Sequence, residues 1–98
     1  MVKHIILWKL KDELVGEEKQ NVMAKIKFEL ENLKGKIPGL IEMTIITEKL
    51  DSSTADLMLD STFESAEALK NYSTHPEHQA VANKYVRPYI KERMCLDF

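Results

Sequence analysis

The chain begins with a pattern of alternating side chains that is typical of a β-strand. From Val2 to Leu10, two interleaved sets of positions can be distinguished: His4, Ile6, Trp8 and Leu10 on one side, and Lys3, Ile5, Leu7 and Lys9 on the other. A period of two in a segment rich in β-branched and large apolar residues predicts a strand. Because both sets contain apolar residues, we expect neither face of its central part to be exposed to water.

The next segment has the period of a helix. Between Val15 and about Lys36, apolar residues recur three and four positions apart, at Val22, Met23, Ile26, Leu30 and Leu33. These positions fall within a sector of roughly 100°, which predicts an amphipathic helix with one buried face. Gly35 and the Pro38-Gly39 pair mark the end of this helix.

Five shorter elements follow. The patterns predict three more strands and two short helices: strands Leu40–Lys49, Ala55–Phe63 and Arg93–Phe98, and helices Ser65–Tyr72 and Pro76 to about Tyr85. Polar residues 51–53 favour a turn, so the first two of these strands should form an antiparallel hairpin. Pro88 ends the helical region.

The order of elements predicts the fold class. Strand, helix, strand, strand, interrupted helix and strand form an α+β domain of the ferredoxin-like, split βαβ type, with a four-stranded antiparallel sheet and its helices on one face. With 98 residues, the chain has the length of one small domain, so residues 1–98 are expected to form a single domain.

The opposite face of such a sheet needs its own cover. Helices protect only one face, and the other face is expected to carry five apolar residues, namely Ile5, Leu7, Met94, Leu96 and Phe98. A contiguous apolar patch on a small domain usually marks an association surface. The sequence therefore predicts a homodimer in which two sheets pack face to face around a two-fold axis.

Composition excludes several classes of partner. Charged residues make up 31% of the chain, both signs are interspersed and the formal net charge is -2, so neither nucleic acid nor a membrane surface is an expected partner. A single cysteine excludes an intramolecular disulfide, and no signal-like or membrane-spanning apolar run is present, so we expect a cytoplasmic protein. Without a Gly-rich phosphate loop, no nucleotide cofactor is expected.

Two of the three histidines lie in one short stretch, Tyr72 to His78. Pro76 favours the first helical position, which makes His75 the expected N-cap and places His78 in the first turn. The positive end of the helix and partial burial both disfavour imidazolium, so His78 should be neutral and able to act as a general base. Tyr72 could then donate a hydrogen bond to a carbonyl oxygen that gains negative charge.

Further residues are expected to line a pocket between the sheet and the helices. His4 should supply another donor or orient a water, and the apolar lining should come from Ile6, Trp8, Leu57 and Leu59, with His75 nearby. Structural roles remain open for these residues: His75 as a helix cap, and His4 and His78 as satisfied, partly buried histidines. His75 and His78 are three positions apart, but no metal site is expected there, because a cap residue such as His75 does not point as a helical residue does. Cys95 is expected to be a small core hydrophobe.

Four stretches of the chain resemble the stress-responsive dimeric α/β-barrel, or Dabb, family, and together the resemblance covers nearly the whole chain. They are the opening Val2–Leu10, the segment Thr62–Ser65, the stretch from Tyr72 to His78, and the terminal Arg93–Phe98. The resemblance implies a ferredoxin-like monomer and a barrel formed across a dimer. It implies no single activity.

One branch that the chain resembles is the plant polyketide cyclase of the olivetolic acid type. In that branch, a tyrosine and a histidine carry an aldol condensation; Tyr72 and His78 match them, and His4 and His75 match supporting positions. A third histidine of the cyclase is replaced here by Leu57. Two classes of function follow as hypotheses: a cofactor-free cyclase or lyase that enolises a small apolar carbonyl compound, and a non-catalytic binding or stress-protective module.

Overall fold

The computed structural model describes residues 1–98 as one four-stranded sheet with a layer of helices. The strands are β1 (Val2–Leu10), β2 (Leu40–Ile46), β3 (Leu57–Phe63) and β4 (Ile90–Asp97), and the helices are α1 (Gly16–Glu31), α2 (Ala66–Thr74) and α3 (Pro76–Val81). α3 continues into a π-helical turn, Ala82–Val86, and a 3₁₀ turn, Arg87–Tyr89. The strand order is β2-β3-β1-β4 and every neighbouring pair is antiparallel. This confirms the predicted ferredoxin-like α+β fold.

The two sides of β1 are distributed as its alternation predicts. Ile6, Trp8 and Leu10 are buried beneath the helices, and His4 is buried on the same side. Ile6 lies opposite Leu59 of β3 and Cys95 of β4, because β1 is a central strand that pairs with both of these neighbours. The helix-facing side of the sheet therefore carries a continuous apolar floor with a histidine at one end.

The first helix is fixed to β2 by both packing and polar contacts. Its apolar stripe buries Met23, Ile26 and Leu30 in the core. The Glu31 carboxylate accepts a hydrogen bond from the Ile45 amide at 2.9 Å, and the Lys27 ammonium donates to the Ile45 carbonyl at 2.7 Å. These bonds pin the C-terminal end of α1 against the sheet.

Several predicted element ends are wrong by a few residues. α1 ends at Glu31 and not near Lys36, because Leu33 and Ile37 stay buried in turns and so extend the apolar pattern past the helix. β2 ends at residue 46 and β3 begins at residue 57, three and two residues inside their predicted limits. The second short helix ends at Val81 and continues as the π turn. β4 begins three residues early, at Ile90, which pairs with Leu10.

The other face of the sheet is uncovered. Leu7 is 39% exposed, Met94 71%, Leu96 64% and Phe98 68%, and Ile5 is half-buried. The strand register places Leu7 opposite Met94 and Ile5 opposite Leu96, so these side chains form one patch. We call these five residues the open face. None of the helices has the length and apolar character needed to cross a bilayer.

A close approach of backbone and helix joins β2 to α2. Gly39 has φ +83°, and a Cβ built there would lie 2.5 Å from the Cβ of Ala68. The Glu64 amide also donates to the Gly39 carbonyl at 2.9 Å. Gly35 has a similar φ, +91°, but nothing lies within 4 Å of its Cβ position. Gly39 is therefore required both by its backbone conformation and by space.

This pair of glycines gives a matched test of the packing of α2. Gly35→Ala should lower the free energy of unfolding by about 1 to 2 kcal/mol, the cost of a left-handed backbone for an L side chain. Gly39→Ala should cost about 1 to 3 kcal/mol more, because Ala68 must also shift. Urea denaturation of the two variants measures the difference, and equal losses would contradict the close contact of Gly39 with α2.

Candidate functional site

A cavity of about 350 Å³ lies between the sheet and the helix layer. Its floor is formed by four side chains of β1 and β3, namely His4, Ile6, Trp8 and Leu59. Tyr72 and His78 line it from α2 and α3, and Val86 lines it from the π turn. The volume is at the lower end of the range of about 300 to 1,000 Å³ that is usual for small-molecule sites.

The junction of α2 and α3 brings Tyr72 and His78 together. His75 has an extended backbone (φ -65°, ψ 134°), as expected for a residue before a proline, and this ends α2. The His75 imidazole accepts a hydrogen bond from the Glu77 amide at 3.1 Å, so His75 is the N-cap of α3 as predicted. The helical path is interrupted at this point, and the rings of Tyr72 and His78 lie 4.1 Å apart between centroids, inclined by 33°.

His78 is held in one tautomer by its own loop. Its Nδ1 lies 3.3 Å from the carbonyl oxygen of Ser73. Because a carbonyl only accepts, Nδ1 must carry the proton, and the lone pair of the neutral ring is on Nε2. Burial lowers the pKa of His78; the Ser73 carbonyl acts in the opposite direction, while the nearby Arg87, His4 and Arg93 lower it further. The ring is therefore neutral near pH 7, with a basic nitrogen.

Tyr72 is the buried aromatic residue on which the site is built. It is 2% exposed, and its ring packs against Phe63 at 4.9 Å between centroids as well as against His78. Burial raises the pKa of its phenol far above the ordinary value, although the charge of Arg93 partly opposes this. Every fully buried side-chain nitrogen or oxygen has a hydrogen-bond partner. Since the Tyr72 hydroxyl bonds to no protein group, it must retain contact with the cavity.

A polar cluster at the edge strand supports His4. The His4 Nδ1 lies 2.5 Å from the Asp97 carboxylate, and the Cys95 thiol donates to the same oxygen at 3.3 Å. Partial burial raises the pKa of Asp97, but the hydrogen bonds from His4 and Cys95 outweigh it and lower the pKa overall. Cys95 is exposed, so the expectation that it lies in the core is wrong. The sulfur is nevertheless partly shielded from water, and this shielding together with the nearby Asp97 raises the pKa of the thiol.

The same cluster is the place where the chain could hold a metal ion. One ligand atom each from His4, Cys95 and Asp97 lie within 4.8 Å of one another, a donor set that Zn²⁺ accepts. Neither His75 nor His78 belongs to this cluster.

Most of the predicted site residues meet at the cavity, and two do not. The structure brings six of them to one lining: His4, Ile6, Trp8, Leu59, Tyr72 and His78. Leu57 is buried in the core and is not part of this lining, although its register partner Trp8 is. His75 is occupied as a cap outside the cavity.

Sequence reasoning missed three charged residues of the site. Arg87 and Arg93 line the cavity, and Asp97 holds His4. The sequence pattern could have identified Arg93 and Asp97. Together with Cys95, they occupy the positions of the last strand that alternate with the apolar residues of the open face, and they should therefore lie on the helix-facing side. Arg87 lies in a short 3₁₀ turn and has no periodic pattern.

Comparison with known proteins identifies relatives over the whole chain. The family model of the stress responsive A/B barrel domain, Dabb, matches residues 2–98. Olivetolic acid cyclase of Cannabis sativa is 27% identical over 99% of this chain and 94% of its own length. An uncharacterised protein of Streptomyces coelicolor is 35% identical over 82% of this chain and 81% of its own. A dimeric ferredoxin-like protein of unknown function from Bacteroides fragilis is 35% identical over 99% of this chain and 93% of its own, with a TM-score of 0.90.

The protonation state of His78 can be measured directly. Because burial and the neighbouring cations disfavour imidazolium, its pKa should lie below the ordinary value of 6.5, and the neutral ring should carry its proton on Nδ1. Long-range ¹H–¹⁵N spectra recorded across a pH titration report both quantities, with His78→Gln used to assign the signals. A pKa at or above 6.5, or a proton on Nε2, would contradict the geometry described for this ring.

Proposed function

The chain belongs to the stress-responsive A/B barrel (Dabb) family, and we propose that its cavity binds a small carbonyl compound and enolises it without a cofactor. The observation that carries the proposal is the contact between His78 and Tyr72. The imidazole of His78 and the phenol of Tyr72 both line one largely apolar cavity, and their ring centroids are 4.1 Å apart. Residues 1–98 act in this proposal as a single domain.

The proposed base is Nε2 of His78. The Ser73 carbonyl holds the other nitrogen, so the lone pair is fixed in orientation, and the lowered pKa keeps the ring unprotonated at neutral pH. A base whose pKa lies near the working pH is suited to abstract a proton from carbon next to a carbonyl.

The proposed electrophilic group is the phenol of Tyr72. Burial raises its pKa, so it stays protonated and acts as a hydrogen-bond donor rather than as a base. A donor placed in advance stabilises the oxygen on which negative charge develops. His4, oriented by Asp97, is a positioning residue on the floor of the same cavity.

The reaction is a proton transfer followed by addition. His78 takes the α-proton, and the electron pair of the C–H bond becomes the enolate, whose oxygen accepts a hydrogen bond from Tyr72. The enolate carbon then attacks a second carbonyl carbon, a C–C bond forms, and the imidazolium returns its proton to the new alkoxide. The reverse sequence is a lyase reaction. A relative named as a cyclase, at 27% identity, supports this class of chemistry, but Leu57 differs from the matching histidine of that branch.

The proposal includes a homodimer formed through the open face. Met94, Leu96 and Phe98 are each more than half exposed in a single chain, and together with Ile5 and Leu7 they form an apolar patch larger than isolated surface residues. The relative from Bacteroides fragilis is described as dimeric. Packing two such faces against each other buries both patches and leaves the cavities on the outer, helix-covered sides of the two sheets.

Exchange of α-protons with solvent tests the enolisation. The protein in D₂O should accelerate exchange of the α-hydrogens of aromatic methyl ketones or 1,3-diketones, followed by NMR. His78→Ala should reduce the rate by about 10²- to 10⁴-fold, the contribution of a general base. Tyr72→Phe should reduce it by about 10²- to 10³-fold, as for loss of an oxyanion donor. The rate should rise with pH through the pKa of His78, below 6.5, and then stay level, because only the neutral ring accepts a proton.

His75→Asn is the matched control for these variants. Asparagine keeps the cap of α3, and His75 lies outside the cavity, so the exchange rate should be unchanged. If the compounds bind but their α-hydrogens exchange equally fast with wild type and with His78→Ala, the cavity is a binding site without catalysis. Absence of binding by every compound would end the proposal.

Sedimentation at micromolar concentration tests the dimer. Wild type should sediment at twice the mass of the 11.3 kDa chain. Leu96→Asp should give a folded monomer, because the charge must be buried on association. Phe28→Asp is the control: Phe28 is also an exposed apolar residue, 56% exposed, but it lies on α1 outside the open face, and the variant should remain dimeric. A folded wild-type monomer would contradict the interface.

A further inference from the structure

The charge of the cavity is opposite in sign to that of the chain. The formal net charge is -2, yet the lining contains two arginines, Arg87 and Arg93, and no acidic residue. The positive charge of the lining is therefore a local feature of the site.

Neither arginine has its charge neutralised by an ion pair. The eight salt bridges of the structure are formed by lysines and by His4. Arg87 donates to the amide oxygens of Gln79 and Asn83, which hold its guanidinium in place but are uncharged. Asp97 lies on the same face of β4 as Arg93, and the charge of Arg93 contributes to lowering its pKa, but no salt bridge joins the two side chains, and Asp97 Oδ1 accepts hydrogen bonds from His4 and Cys95.

The position of Arg93 places its charge beside the reactive pair. Arg93 lies opposite Trp8 in the register, on the helix-facing side of β4, and lines the same cavity as Tyr72 and His78. The remaining wall is largely aliphatic, with Leu30, Leu59 and Leu69 among its residues. The cavity thus has an apolar interior and a cationic wall, which suits an amphipathic molecule with one anionic end.

We propose that the cavity selects compounds that carry a carboxylate, with Arg93 as the anchoring residue and Arg87 as a second positive charge on the same wall. The inference rests on the proposed function and names the class of its substrates: oxo acids or aromatic keto acids of small size. A guanidinium binds carboxylate and phosphate groups through the same pair of parallel hydrogen bonds, so Arg93 could recognise either of these oxyanions. A cavity of about 350 Å³ with mostly aliphatic walls favours the carboxylate over the larger, more strongly hydrated dianionic phosphate ester.

A set of ligands with one shape and different charge tests the assignment. The probes are 4-acetylbenzoate, 4-acetylbenzamide and 4-acetylphenyl phosphate, with 5-oxohexanoate and its amide as an aliphatic pair. Calorimetry or NMR titration should show the acids binding about 10- to 100-fold more tightly than their amides, the range of a hydrogen bond to a charged group. The preference should shrink as ionic strength rises.

Substitution of Arg93 isolates its contribution. Arg93→Gln should reduce the affinity for the acids to that for the amides and leave the affinity for the amides unchanged. Lys91→Gln is the matched control, because Lys91 lies on the same strand, carries the same charge and pairs with Asp12 outside the cavity; it should change neither affinity. Arg87→Gln should weaken acid binding to a smaller extent.

The outcomes separate this inference from the proposed function. Equal binding of acids and amides, or unchanged acid binding in Arg93→Gln, overturns the role of Arg93 and leaves the cavity as a binding site. Tighter binding of the phosphate ester overturns the assignment to a carboxylate. Preference for the acids that depends on Arg93, without any exchange of α-protons, supports the inference and refutes enolisation. If no probe binds wild type, both proposals fail.

Discussion

The structure depends on the fact that both faces of its sheet carry apolar residues, whereas the single layer of helices covers only one of them. The helix-facing side is filled by α1 and the α2–α3 junction, which leaves a cavity where the helices diverge. The other side retains exposed Leu96 and Phe98. The proposed dimer interface and the proposed ligand site therefore lie on opposite faces of the sheet.

The geometry of the cavity comes from a short interruption in the helical layer. A continuous helix from residue 66 to residue 86 would carry Tyr72 and His78 six positions apart, on different sides. Pro76 favours an extended conformation of His75, and the resulting break between α2 and α3 allows the ring of His78 to contact that of Tyr72. The Ser73 carbonyl, freed near the end of α2, then fixes the tautomer of the imidazole. The restriction that Pro76 places on the backbone of His75 thereby contributes to the orientation of the proposed base, His78.

Sequence patterns predicted the fold and six of the residues that line the cavity. The alternation of β1 assigned His4, Ile6 and Trp8 to the helix-facing side, and the family resemblance agrees with the observed topology. The ends of the helices and strands were harder to predict. The end of α1, for example, was placed too late because Leu33 and Ile37 are buried although they lie beyond the helix. The charged part of the site was missed for a different reason. Arg87 reaches the cavity from an irregular turn, and the contact of His4 with Asp97 joins residues 93 positions apart.

The edge position of β4 has a consequence for how the site responds to its occupant. β4 pairs only with β1, and in a single chain nearly all of its residues are exposed, so in the monomer this strand has the smallest share in the core and is expected to open locally more often than its neighbours. Detachment of β4 would remove Arg93 and Asp97 together while the hydrophobic core stayed intact. A molecule held by this strand would therefore tighten it, and slower amide hydrogen exchange along residues 90–97 would register occupancy of the cavity.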